Sequence, residues 1–102
     1  MKSEFGERLS YLRMQKGVSA RSMSLSLGQN LGYINNIENK RAFPSMEIFF
    51  NICEFLEITP QEFFDEENIN PEELNAAVDN LKKLDAHSLE SISTVIELLA
   101  KK

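Results

Sequence analysis

A chain of 102 residues, 42% of them hydrophobic, is long and apolar enough to bury the core of one compact domain with a short appendage, which excludes a disordered polypeptide. The formal net charge of −5 excludes a strongly basic, unspecific nucleic-acid coat but leaves room for a local basic site. One cysteine and one histidine give no basis for a disulfide framework or a structural zinc site, so neither metal nor cofactor is expected. No run is long enough to cross a bilayer, and the start MKSEFGERLS lacks the apolar stretch of a signal peptide, so the expectation is a cytoplasmic chain without membrane contact.

The first predicted helix spans Ser3 to about Gln15, where Phe5, Leu9 and Leu12 recur at steps of four and three. Lys16 and Gly17 end it, a cation in the last turn and glycine just beyond. Ser19 is placed to cap a second helix from Ala20 to about Leu27, with Met23 and Leu27 inward and Ser24 small enough to admit a neighbouring helix. Gly28 makes a turn, and Asn30 is placed to cap a third helix over about 30–38. On that helix Ile34 and Ile37 fall on one side, while Leu31, Gly32, Asn35 and Asn36 form a small amide-bearing face on the other.

Residues 39–43 form a loop with two adjacent cations, and Pro44 and Ser45 start a fourth helix that runs to about Glu57. Its expected buried face is Met46, Phe49, Ile52, Cys53 and Leu56, with Cys53 a small hydrophobe rather than a reactive thiol. Ile48, Phe50 and Phe55 exceed one stripe, so a second covered side is expected. Thr59, Pro60, Gln61 and Glu62 make a capping box with proline at the first helical position, opening a fifth helix that carries Phe63 and Phe64. DEEN, residues 65–68, reads as a linker. Asn70 to Glu73 repeat the capping logic ahead of a sixth helix with Leu74, Ala77, Val78, Leu81 and Leu84. Asp85 is placed to cap the last helix, where Leu89, Ile92, Ile96 and Leu99 are spaced three, four and three, widened by Val95 and Leu98.

Two short helices about a glycine turn, preceded by a longer helix, make a helix-turn-helix arrangement. The run from Arg8 to Phe64 resembles the DNA-binding domain of the Cro and lambda-repressor type, also called the XRE family. The matching marks are Leu9, Leu12, Arg13, Gly17, Ser19, Leu27, Gly28, the string Tyr33, Ile34, Ile37 and Glu38, then Pro44, Ser45, Ile58, Pro60, Phe63 and Phe64. The fold expected is all-α: a five-helix lambda-repressor-like domain over residues 1–66, followed by a two-helix hairpin over 69–102. The resemblance implies an ion pair between Arg13 and Glu38, base contacts from Asn30, Leu31, Gly32, Asn35 and Asn36, and phosphate contacts from Arg21, Tyr33, Asn39, Lys40 and Arg41. Where such domains commonly open the second helix with glutamine, Ala20 stands here, and the third helix contains no arginine or lysine.

The function expected is a sequence-specific regulator of transcription, a repressor that binds an inverted-repeat operator in double-stranded DNA as a homodimer. The alternative is a protein-interaction module or antitoxin-like accessory regulator that uses the C-terminal helices. Those helices either pack on helix four within one chain or pair with a second copy; the width of the apolar face favours dimerisation through Leu89, Ile92, Val95, Ile96 and Leu99. Catalysis is not expected, because Ser22, Ser24 and Ser26 have no histidine or lysine arranged beside them and the carboxylates occupy capping and surface positions.

Overall fold

The computed structural model describes residues 2–101, whose regular structure is all helix with no strand. The helices are α1 (Lys2–Lys16), α2 (Ala20–Ser26), α3 (Tyr33–Glu38), α4 (Met46–Leu56), α5 (Pro60–Phe64), α6 (Pro71–Leu81) and α7 (Ala86–Ala100). No helix among the described residues is long and apolar enough to cross a membrane. The chain divides into two compact units, one reaching Glu72 and the other beginning at Glu73, so the DEEN stretch lies inside the first unit.

In the first unit the helix starts are set by side-chain caps. Ser19 Oγ accepts the Ser22 N–H, Ser45 Oγ accepts that of Ile48, and Thr59 and Glu62 exchange both bonds of a capping box with Pro60 behind them. The helix ends share one solution. After α1, α2, α3 and α4 a residue in the left-handed region turns the chain, and its own N–H and that of the residue after it close back on the last turn. Those residues are Gly17 (φ +77°), Gly28 (φ +74°), Lys40 (φ +66°) and Glu57 (φ +60°). Glycine adopts this geometry freely, whereas Lys40 and Glu57 hold it at a cost of about 1 kcal/mol each.

The core gathers Phe5, Leu9 and Leu12 of α1, Met23 of α2, Ile34 and Ile37 of α3, Phe49, Ile52, Cys53 and Leu56 of α4, then Ile58 and Phe63. Phe5, Phe49, Phe63 and Phe64 stack around one another with ring centroids 4.9 to 6.2 Å apart. Met46 departs from its expected place on the buried face of α4 and is exposed, because it is the first residue of the helix and sits beyond the reach of the core. Ile48 and Phe55 pack against the core from the side, while Phe50 stays half exposed, so the second face of α4 is covered only in part.

In the second unit, Asp85 Oδ1 accepts the Ser88 N–H and starts α7 as expected. That bond holds the Asp85 carboxyl below the ordinary carboxylate range. No residue of α7 is buried.

Candidate nucleic-acid interface

The frame of α3 is built from three contacts that converge on its two ends. At the start, Ser24 of α2 is fully buried and its hydroxyl does two jobs: it donates to Ala20 O (2.8 Å) and accepts the N–H of Ile34 (2.9 Å). One of the unpaired donors of the first turn is therefore satisfied by a side chain from the preceding helix. Asn30 does not cap this helix, a correction to the expected start. Its Oδ1 accepts the Gly32 N–H (3.1 Å) in the turn, Gly32 takes the cap position without a side-chain bond, and the regular helix spans Tyr33–Glu38 rather than about 30–38.

At the far end, Gly6 of α1 lies flat against the helix terminus. A Cβ there would stand 2.8 Å from Ile37 O and 3.0 Å from Glu38 O, so only glycine lets the two backbones approach this closely. Beside it, Arg13 donates from Nε to Glu38 Oε2 (2.7 Å) and from Nη2 to Glu38 Oε1 (3.0 Å), with Nη1 on Val18 O (2.8 Å). Both side chains are largely covered, at 14% and 11% exposure, and the hydrogen bond to Glu38 pushes the Arg13 pKa up, against the opposing effect of burial. The pair is a two-pronged brace between α1 and the end of α3.

With Ile34 and Ile37 buried beneath, the opposite side of α3 carries Asn35 and Asn36, both exposed, and the turn before it carries Asn30 and Leu31, also exposed, with Gly32 half buried. Asn39 donates from Nδ2 to Asn35 O (2.8 Å) and to Asn35 Oδ1 (2.9 Å), which ties the Asn35 amide down along the helix. Arg41 Nη1 stands 3.5 Å from Asn36 Oδ1, at the limit of a hydrogen bond, so the Asn36 amide is the less restrained of the two.

The turn that ends α3 brings two cations to this edge. Lys40 N–H closes on Ile37 O (3.0 Å) and Arg41 N–H on Asn36 O (2.9 Å), leaving both side chains outward. Lys40 Nζ lies 3.7 Å from Glu7 Oε2, an exposed pair worth little. Arg21 is exposed on α2. Tyr33 is half buried against the core, and burial pushes its phenol pKa up. The face therefore presents amides, one leucine and a thin cationic edge.

No three metal-ligating side chains come together among the described residues. Cys53 is buried in the core, where desolvation pushes its thiol up to about 11, so it remains protonated and unreactive near neutrality.

Sequence reasoning missed Gly6, whose role needs the α3 terminus beside it, and assigned Ser24 only its small size. It also passed over Arg8, which is 7% exposed and bonded to the main chain of Phe63, Glu62, Asp65 and Asn68. A family model described as a helix-turn-helix domain matches residues 6–69, which takes in α1 from Gly6 onward, α2 through α5 and the segment after them. No curated protein and no solved structure matches the chain significantly.

Proposed function

The chain belongs to the helix-turn-helix domain family, and from that premise we propose that it is a sequence-specific DNA-binding regulator of the Cro and lambda-repressor type, a repressor that binds an inverted repeat as a homodimer. The observation that carries this reading is the outward amide face of α3. Asn35 and Asn36 are exposed over Ile34 and Ile37, and the helix is braced at both ends by Ser24, Gly6 and Arg13. A short braced helix with an exposed polar face fits the major groove, where an asparagine amide both donates to and accepts from adenine. Asn36 makes that contact, Leu31 meets a thymine methyl, Asn30 and Gly32 face the bases beside them, and Asn35 lies at the margin. Arg21, Tyr33, Asn39, Lys40 and Arg41 face phosphates and set the register.

Dimerisation is assigned to α7 through Leu89, Ile92, Val95, Ile96 and Leu99, which are 39% to 59% exposed along one stripe. Two heads so joined read half-sites about 34 Å apart. The same exposed stripe, together with the absence of lysine and arginine from α3, supports a second reading in which the C-terminal helices bind another protein and DNA contact is weak.

Selection from genomic fragments at low salt separates the two. The regulator enriches one discrete palindromic site; enrichment of nothing above background overturns it. With a site in hand, Asn36→Ala relaxes preference at one position of each half-site, at about 1 to 3 kcal/mol of lost discrimination. Substituting Lys40 and Arg41 by alanine weakens all sequences alike and flattens the salt dependence.

A further inference from the structure

The two asparagines of the α3 face are not held alike. Asn39, at the end of the helix, donates from Nδ2 to Asn35 O (2.8 Å) and to Asn35 Oδ1 (2.9 Å). A main-chain oxygen only accepts, so the group that Asn39 sets there is its NH2, and the Asn35 atom facing that NH2 is the amide oxygen. Turning the Asn35 amide over would oppose two NH2 groups and lose that bond, about a five-fold penalty. The Asn35 oxygen is thus turned along the helix to Asn39. Its exposed NH2, which donates to no described residue, is the part left for a ligand. Asn36 differs: Arg41 Nη1 lies 3.5 Å from its Oδ1, and an amide held that loosely turns to suit what it meets. Asn39 itself has no donor to spare, since its main-chain N–H also closes on Asn35 O (2.9 Å).

We propose that Asn35 is a donor-only reader of the major groove, oriented by Asn39 as its positioning residue, and that it selects guanine at one position of the sequence the protein reads. The inference rests on the operator-reading function above and moves Asn39 within it, from the phosphates to the orientation of Asn35. Guanine presents two acceptors side by side, N7 and O6, which an outward NH2 serves. Adenine presents one acceptor and one donor. An asparagine meets both only by bringing its own oxygen to the base, which for Asn35 means giving up Asn39. Cytosine offers a donor, which an NH2 repels. The face therefore pairs a two-way reader suited to adenine, Asn36, with a fixed donor suited to guanine, Asn35.

The experiment is selection from a library of randomised duplexes by the full chain and by three variants at exposed positions, Asn35→Ala, Asn39→Ala and Asn39→Asp. Asn35→Ala flattens one position, and the unsubstituted chain has G·C there. Asn39→Ala releases the Asn35 amide and lowers the preference for G·C over A·T at that position about five-fold, the worth of one hydrogen bond, with the other positions unchanged. Asn39→Asp accepts from Asn35 Nδ2 and turns the oxygen outward, so G·C changes there from favoured to disfavoured. If Asn39 only holds the helix, its substitution weakens every position together, and that result overturns the inference. So does a pair other than G·C at the position that Asn35→Ala flattens, or a G·C preference that survives either Asn39 substitution intact. If Asn35→Ala flattens no position, the inference falls while the operator-reading function stands on Asn36. Failure of the unsubstituted chain to enrich any sequence removes that function, and the inference with it.

Discussion

Helices α1 and α7 are the same length, 15 residues, and each carries apolar residues at steps of three and four, yet they end in opposite states. In α1, Phe5, Leu9 and Leu12 are 3%, 0% and 5% exposed. In α7, Leu89, Ile92, Ile96 and Leu99 stand between 39% and 59% exposed, although Val95 and Leu98 make that stripe the wider of the two. The difference lies in what else the chain brings to each helix. Against α1 come α3, whose terminus approaches to contact through Gly6, then α4 with Phe49 and α5 with Phe63, and the polar flank of α1 is tied down by Arg8 and Arg13. In α7 none of the described residues is buried. An amphipathic stripe is a demand for a partner, and the stripe itself does not say where the partner is.

The sharpest way to test this contrast is to make the same kind of cut in both helices. Leu9→Ala in α1 removes a fully buried side chain from a closed core and costs about 2 to 5 kcal/mol, read as a lower midpoint in chemical denaturation. Ser24→Ala comes next. It leaves the buried Ile34 N–H without an acceptor and costs about 1 to 3 kcal/mol, with faster amide exchange in α3 as its local signature. In α7, Ile92→Glu combined with Ile96→Glu changes the stability of the first unit by no more than about 0.5 kcal/mol. On the proposed dimer, sedimentation equilibrium of the same variant reports a monomer and that of the unsubstituted chain a dimer. A large fall in stability of the first unit would break the contrast, since α7 would then be part of that unit's core.

The effect of Cys53 is confined to alkaline pH. Its thiol is raised to about 11 in the folded chain, so the folded state prefers the protonated form. The stability this contributes is fully present below the ordinary thiol value, about 9, and is lost as pH rises from there through about 11. Labelling by a thiol reagent at pH 8 is accordingly slow in the native protein and becomes fast only on unfolding.

Much of the helical order was legible because its signals are local. Ser19, Ser45, Thr59 with Glu62, and Asp85 cap helices within three residues of themselves, and each is found capping. Gly17 and Gly28 announce the left-handed turns after α1 and α2. The same turn after α3 and α4 was invisible, since Lys40 and Glu57 are residues with no preference for it; the packing on either side forces them there. Asn30 misled for a related reason. Its side chain does accept a backbone N–H, as its type suggests, but that of Gly32 in the turn, while the donor of Ile34 is met by a serine ten residues earlier in the chain.

By itself, then, the sequence determined the order of helices, most of their caps and the apolar stripe of each, because these depend on residues within a turn or two of one another. Which stripes are covered, that Met46 lies outside the core, that Gly6 seats α1 on the end of α3, and that Arg8 binds carbonyls 54 to 60 residues away were decided only in three dimensions. The physical reason is plain in Arg8. Its targets are main-chain oxygens, which every residue carries, so no side chain in the sequence marks where that arginine goes.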